Sequence, residues 1–151
     1  MKKILAPLIV ICALSALVMA QKTPAASTAA PDLPDVVVNG FKEFKSGGYT
    51  AATNAWVHDS SLLLDTTSLQ ALNTFFNQIS NNSGPFAGAD VVRIVKLSAA
   101  SEEVYTVAKY ERQMVYIGFT CYKNGDKWII TVIDADKDPS KVLPTYIMSG
   151  L

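Results

Sequence analysis

Hydrophobic and polar positions alternate most regularly over residues 104–135, VYTVAKYERQMVYIGFTCYKNGDKWIITVIDA. Alternation with period two marks strands that have one covered face. Asn124-Gly125 reads as the two-residue loop of a type I′ hairpin. That loop sets Lys123 against Asp126 and pairs Cys121 with Trp128, Phe119 with Ile130, Ile117 with Val132 and Val115 with Asp134. Glu111-Arg112 reads as a second tight turn with Tyr110 opposite Gln113. It places Val104, Thr106 and Ala108 on the same face as Val115, Ile117 and Phe119, so both turns select one covered face. Burying side chains of this size contributes roughly 1.5–3 kcal/mol each, and the face therefore calls for a cover. Residues 91–97 read as an earlier strand with apolar residues at both parities.

Upstream, a period near 3.6 takes over. Pro34-Asp35 opens a helix with Val37, Phe41 and Phe44 on one side. Gly40 inside it weakens it by about 1 kcal/mol relative to alanine, and Gly47-Gly48 ends it. A second short helix, 49–57, carries Ala52 and Ala55, which permit close approach, and Trp56, which plugs the gap. A third begins at Thr66 or Thr67 after Asp65, with Leu69, Leu72, Phe75, Phe76 and Ile79 as its apolar stripe. Asn81-Asn82-Ser83-Gly84-Pro85 breaks it, and residues 84–89 read as a loop. Helices followed by an antiparallel meander form an α+β layout. Residues 34–136 are the expected domain. Residues 137–151 are a tail with two prolines, whose Tyr146, Ile147 and Met148 are placed to dock on the body.

The chain has 151 residues, half of them apolar, with 13 basic and 13 acidic side chains. That suits one globular domain. It offers no basic stripe, so nucleic acid is not an expected partner. Residues 1–20 read as a signal peptide: Lys2 and Lys3 form the charged region, an apolar run follows, and Val18-Met19-Ala20 resembles a cleavage site. The run is shorter than the roughly 20 residues of a spanning helix, so no membrane association is expected after cleavage. Residues 21–33 read as a flexible linker rich in Pro, Ala, Ser and Thr. Cleavage removes Lys2 and Lys3 and leaves 11 basic residues against 13 acidic ones, a net charge near −2. It also removes Cys12, so an exported, periplasmic or secreted chain with Cys121 alone forms no internal disulfide.

Three segments carry the resemblance to a known family: FKSGGYTAATNAW at 44–56, GPFAG at 84–88, and NGDKWII at 124–130. With Gly48, Trp56, Gly84 and Trp128 as landmarks, residues 35–134 resemble the nuclear transport factor 2-like superfamily, more closely its small exported bacterial members of unassigned function. The resemblance implies a cone, with helices packed in the hollow of a bent sheet. It includes dehydratases, isomerases, ligand binders and docking modules, so it leaves function open. Its enzymes place an Asp, His or Tyr deep in the cone. Here Ile117, Phe119, Trp128 and Ile130 stand at mid-cone positions, which favours a filled interior.

Candidate chemistry is sparse. His58-Asp59-Ser60-Ser61 contains the residue types of a nucleophilic triad, but sequence neighbours rarely face one another as a triad requires. His58 is the lone histidine, so no His-based metal cluster can form. Asp134, Asp136 and Asp138 imitate a calcium loop, yet Pro139 stands where the turn needs Gly and Thr145 where Glu belongs. Cys121 is expected as inert core. No cofactor or metal is expected. The register brings Tyr110, Gln113 and Asp134 to one polar end of the covered face. They form a candidate small-ligand site at the cone's mouth, with Trp56 and His58 on the rim. The other sheet face carries Tyr105, Met114, Tyr116, Tyr122, Ile129 and Ile133, a contiguous apolar patch suited to a homodimer. Tyr105 falls opposite Gly118, where an aromatic ring can lie over bare backbone. The expected function is a binding or interaction module without catalysis. The alternative is a small-molecule lyase or isomerase using Asp134 or His58 as general base.

Overall fold

The computed structural model describes residues 33–150. The expected signal peptide lies outside the described residues, as does the linker apart from Leu33. Helix α1 (Asp35–Val57) is broken at Gly48, whose φ of 79° is the left-handed conformation that glycine adopts without steric penalty. The two expected helices are therefore present, end to end across a kink. Asp65 caps α2 (Thr66–Ser83) by accepting from the Ser68 backbone N–H at 3.0 Å. Strands β1 (Phe86–Ser98), β2 (Ser101–Tyr110), β3 (Met114–Asn124) and β4 (Lys127–Asp136) follow. They form one antiparallel meander in the order β1-β2-β3-β4. The chain is thus α+β, with helices followed by a four-stranded antiparallel sheet.

The helices cover one face of the sheet. Val37, Phe44, Ala52 and Trp56 of α1 and Phe76 and Ile79 of α2 pack on Val104, Ala108, Val115, Ile117, Phe119, Cys121 and Ile130. The β2–β3 register is as the alternation predicts: Val104 pairs with Phe119, Thr106 with Ile117 and Tyr105 with Gly118.

The β3–β4 hairpin departs from expectation in two steps. Its loop is Gly125-Asp126 rather than Asn124-Gly125. Gly125 has a φ of 62° and Asp126 does not share the positive φ, as in a type II′ turn, and Asn124 pairs with Lys127. Partners shift by two, so Cys121 meets Ile130 with the facing preserved. Thr131 is then an extra residue, because the next pair is Thr120 with Val132. A one-residue bulge exchanges the faces of everything beyond it. Ile133 and Ala135 therefore turn to the core opposite Phe119 and Ile117, while Val132 and Asp134 turn outward. Trp128 pairs with Lys123 and is half-buried rather than sealed in.

Bulges also explain why residues 91–97 read ambiguously. Strand β1 begins earlier than expected, at Phe86, and its register slips three times along its pairing with β2. One slip falls between Val91 and Arg93, so Val91 faces Thr106 while Ile94 faces Val104. Apolar residues of both parities thus lie on the covered face.

The tail is attached more firmly than expected. A 3-10 turn (Pro139–Lys141) and the single-turn α3 (Thr145–Met148) follow β4. Leu143 is buried, and Val142 lies against Gly118 beside the Tyr105 ring.

Candidate functional site

The space between helices and sheet is filled by aromatic rings. Trp56, fully buried, meets Phe119 at 5.1 Å and Phe41 at 5.2 Å between ring centroids. Phe44 meets Phe86 at 4.4 Å and Phe76 at 5.4 Å, and Tyr110 closes the row at 6.2 Å from Phe44. Such contacts are worth about 0.5–1.5 kcal/mol each beyond burial. The Trp56 indole N–H donates to the Val37 carbonyl at 3.3 Å, which satisfies its one polar atom. Gly40 is the residue that admits the indole: a methyl group there would overlap its Nε1, Cδ1 and Cε2 atoms.

The residues expected at a polar mouth do not converge. Tyr110 and Gln113 do meet across the β2–β3 turn, where the Tyr110 N–H donates to the Gln113 carbonyl at 2.8 Å. Both pack against the end of α2. The Ser83 hydroxyl donates to Gln113 Oε1 at 3.2 Å, leaving Gln113 Nε2 buried without a partner. Burial pushes the Tyr110 phenol above the usual tyrosine range, partly offset by Ser80. Asp134, however, pairs with Gly118 on the opposite face, because the Thr131 bulge turned it there. Trp56 is core, not rim.

His58 is exposed and 3.2 Å from Asp59, which also lies 3.8 Å from Lys127. The Ser60 hydroxyl is committed to the Ile130 carbonyl and accepts from the Leu62 N–H, so it fastens the segment after α1 to β4. It is no nucleophile for His58 to activate. His58, Asp59, Asp126, Lys127 and Trp128 do share a wide, open groove of mixed lining with Asp35, Val36, Glu43 and Ala55, and its charges stand in solvent. Asp136 and Asp138 are occupied as turn acceptors for the Asp138 and Ser140 N–H groups, and Asp136 pairs with Lys141 at 3.2 Å. No metal-binding cluster is found among the described residues. Cys121 is buried, and desolvation, with Glu102 nearby, pushes its thiol up to about 12.

The expected dimer patch is also rearranged. Ile133 faces the core, because the bulge reverses it. Tyr105 is covered by the tail and donates its hydroxyl to Glu103 at 2.7 Å. Burial raises the Tyr105 phenol well above its ordinary value, with Glu103 adding to the effect. Tyr116 and Ile129 are half-buried, while Met114 and Tyr122 remain 52% and 47% exposed at opposite ends of β3. The centre of the patch, between them, is where Val142 sits.

A recess missed in the sequence opens between α1 and β1. It has a volume of about 320 Å³. Leu33, Val38 and Phe41 line one side, Phe86, Ala89 and Val91 the other, and Thr106 also contributes. The Thr106 hydroxyl is spent on the Ile117 carbonyl at 3.2 Å, so the lining there presents no free donor. Gly88, with a φ of 146°, adds no side chain. Lys42 and Lys45 complete the lining. Val38, Phe41, Lys42 and Lys45 fall at i, i+3, i+4 and i+7, one face of α1 that changes from apolar to basic along its length. That spacing was the available signal. Comparison with protein-family models, with curated proteins and with solved structures finds no match for the chain.

Proposed function

We propose that the chain is an exported, non-enzymatic binding module of the nuclear transport factor 2-like kind, whose cone is filled by its own side chains. Its ligand site is the α1–β1 recess. One observation carries this reading: the interior is closed by a continuous aromatic cluster, while an apolar recess of about 320 Å³ stays open beside it. Ligand sites are typically concave, mostly apolar and about 300–1,000 Å³ in volume. The lyase or isomerase alternative loses its support from the same packing. A general base must sit within hydrogen-bond reach of a held substrate, whereas Asp134 is exposed on the outer sheet face and His58 stands in solvent.

The test is fluorescence titration with Nile red, a neutral apolar dye. Ala89→Trp, which fills the recess, should abolish the signal, while Asp134→Asn should leave it unchanged. Equal dye binding by wild type and Ala89→Trp would place the site elsewhere.

A further inference from the structure

We infer that the α1–β1 recess accepts a single-chain amphipathic anion, an aliphatic carboxylate of medium length, with its head group between Lys42 and Lys45. This rests on the recess reading above and adds the ligand's chemistry.

Three observations converge. The first is size. An apolar cavity of about 150 Å³ holds one benzene, so about 320 Å³ holds on the order of a dozen heavy atoms, too few for a two-chain lipid. The second is the polarity gradient. Leu33 and Val38 offer no polar side-chain atom and Thr106 has used its own, whereas Lys42 and Lys45 stand one turn apart on the same helix face. The third is charge balance. Asp90 also lines the recess, but both its carboxylate oxygens lie 2.8 Å from Lys109 Nζ. Among the described residues, neither Lys42 nor Lys45 is in an ion pair. Two unneutralised ammonium groups beside an apolar slot complement a carboxylate on an aliphatic tail. A neutral chain would leave that field unused.

Isothermal titration of the full chain with decanoate and with decan-1-ol tests the inference. Decanoate should bind more tightly than the alcohol. The double variant Lys42→Gln/Lys45→Gln should weaken decanoate about tenfold, since exposed ion pairs are worth a few-fold each, and should leave the alcohol unchanged. Raising the salt concentration should weaken decanoate in the wild type and not in the double variant. Both lysines are exposed, so the fold is retained. Equal affinities for acid and alcohol, with no effect of the lysine changes, would overturn the anionic ligand while leaving an apolar site. Failure of both ligands, or binding of either that persists in Ala89→Trp, would overturn the recess reading and this inference together.

Discussion

Replacing Gly40 with alanine should destabilise the protein, although the same change in an exposed helix would stabilise it. Alanine is favoured over glycine inside a helix by about 1 kcal/mol. Against this stands the Trp56 indole, which occupies the place of the new methyl. The ring has no free space to move into, because Phe41, Phe44, Phe76 and Phe119 surround it. Forcing extra volume into a packed core costs about 1–3 kcal/mol. Displacing the indole also breaks its hydrogen bond to Val37 and strands a buried donor, at about 1–3 kcal/mol. The net expectation is a loss of about 1–5 kcal/mol. Denaturant melts followed by tryptophan fluorescence measure it, since Trp56 is one of two tryptophans in the chain. A double-mutant cycle locates the cause: in a Trp56→Ala background, where the overlapping ring is gone, Gly40→Ala should cost far less. A Gly40→Ala protein that melts at higher denaturant than wild type would refute the packing described for α1.

Two further expectations follow from the surface. Removing residues 137–151 uncovers Tyr105 and Gly118 and restores a continuous apolar patch, so the truncated chain should show a greater degree of association in light scattering at tens of micromolar than the full chain does. Equal masses for both would mean that the tail is no cover. The Asp65, Asp136 and Asp138 carboxyls are held below their ordinary value, chiefly by hydrogen bonds from Ser68, the Asp138 backbone and Ser140 respectively. A carboxyl whose folded value is depressed adds stability above its unfolded value near 4, and that stability is lost as pH falls through the folded value. Melting temperature should therefore drop from roughly pH 4 downward, and less steeply when all three are asparagine; parallel curves would refute this.

Legibility from sequence divided along physical lines. The helix limits were readable because Gly48, Asp65 and the 81–85 breaker act locally, through backbone conformation and capping. The β2–β3 register was readable because a two-residue turn and an uninterrupted alternation agree. The β3–β4 register was not. Ile129, Ile130, Val132 and Ile133 flank Thr131 with apolar residues of both parities, so no polarity change signals the slip. Asp134 was carried with the wrong register, and the three-residue mouth went with it. Gly40 was legible as a helix-weakening residue, but its partner Trp56 lies 16 positions away and only tertiary packing brings them together. The recess was hidden for a similar reason. Its two walls come from α1 and from a segment that reads as a loop.

The irregular edges of the sheet have a consequence for how the protein behaves at high concentration. Strands β1 and β4 are the two that end the sheet; β1 carries three unpaired extra residues and β4 one. A second copy approaching β1 in the extended form would find its hydrogen-bonding groups out of step at three points. Val91, Val92 and Leu97 leave this strand otherwise sticky. Stacking of copies into a continuous fibre needs a flat ladder with an even repeat. The bulges that redirect side chains thus also deny the sheet a template for growth. Deleting Val92 removes the middle one of these three interruptions and should raise the tendency of copies to stack through β1.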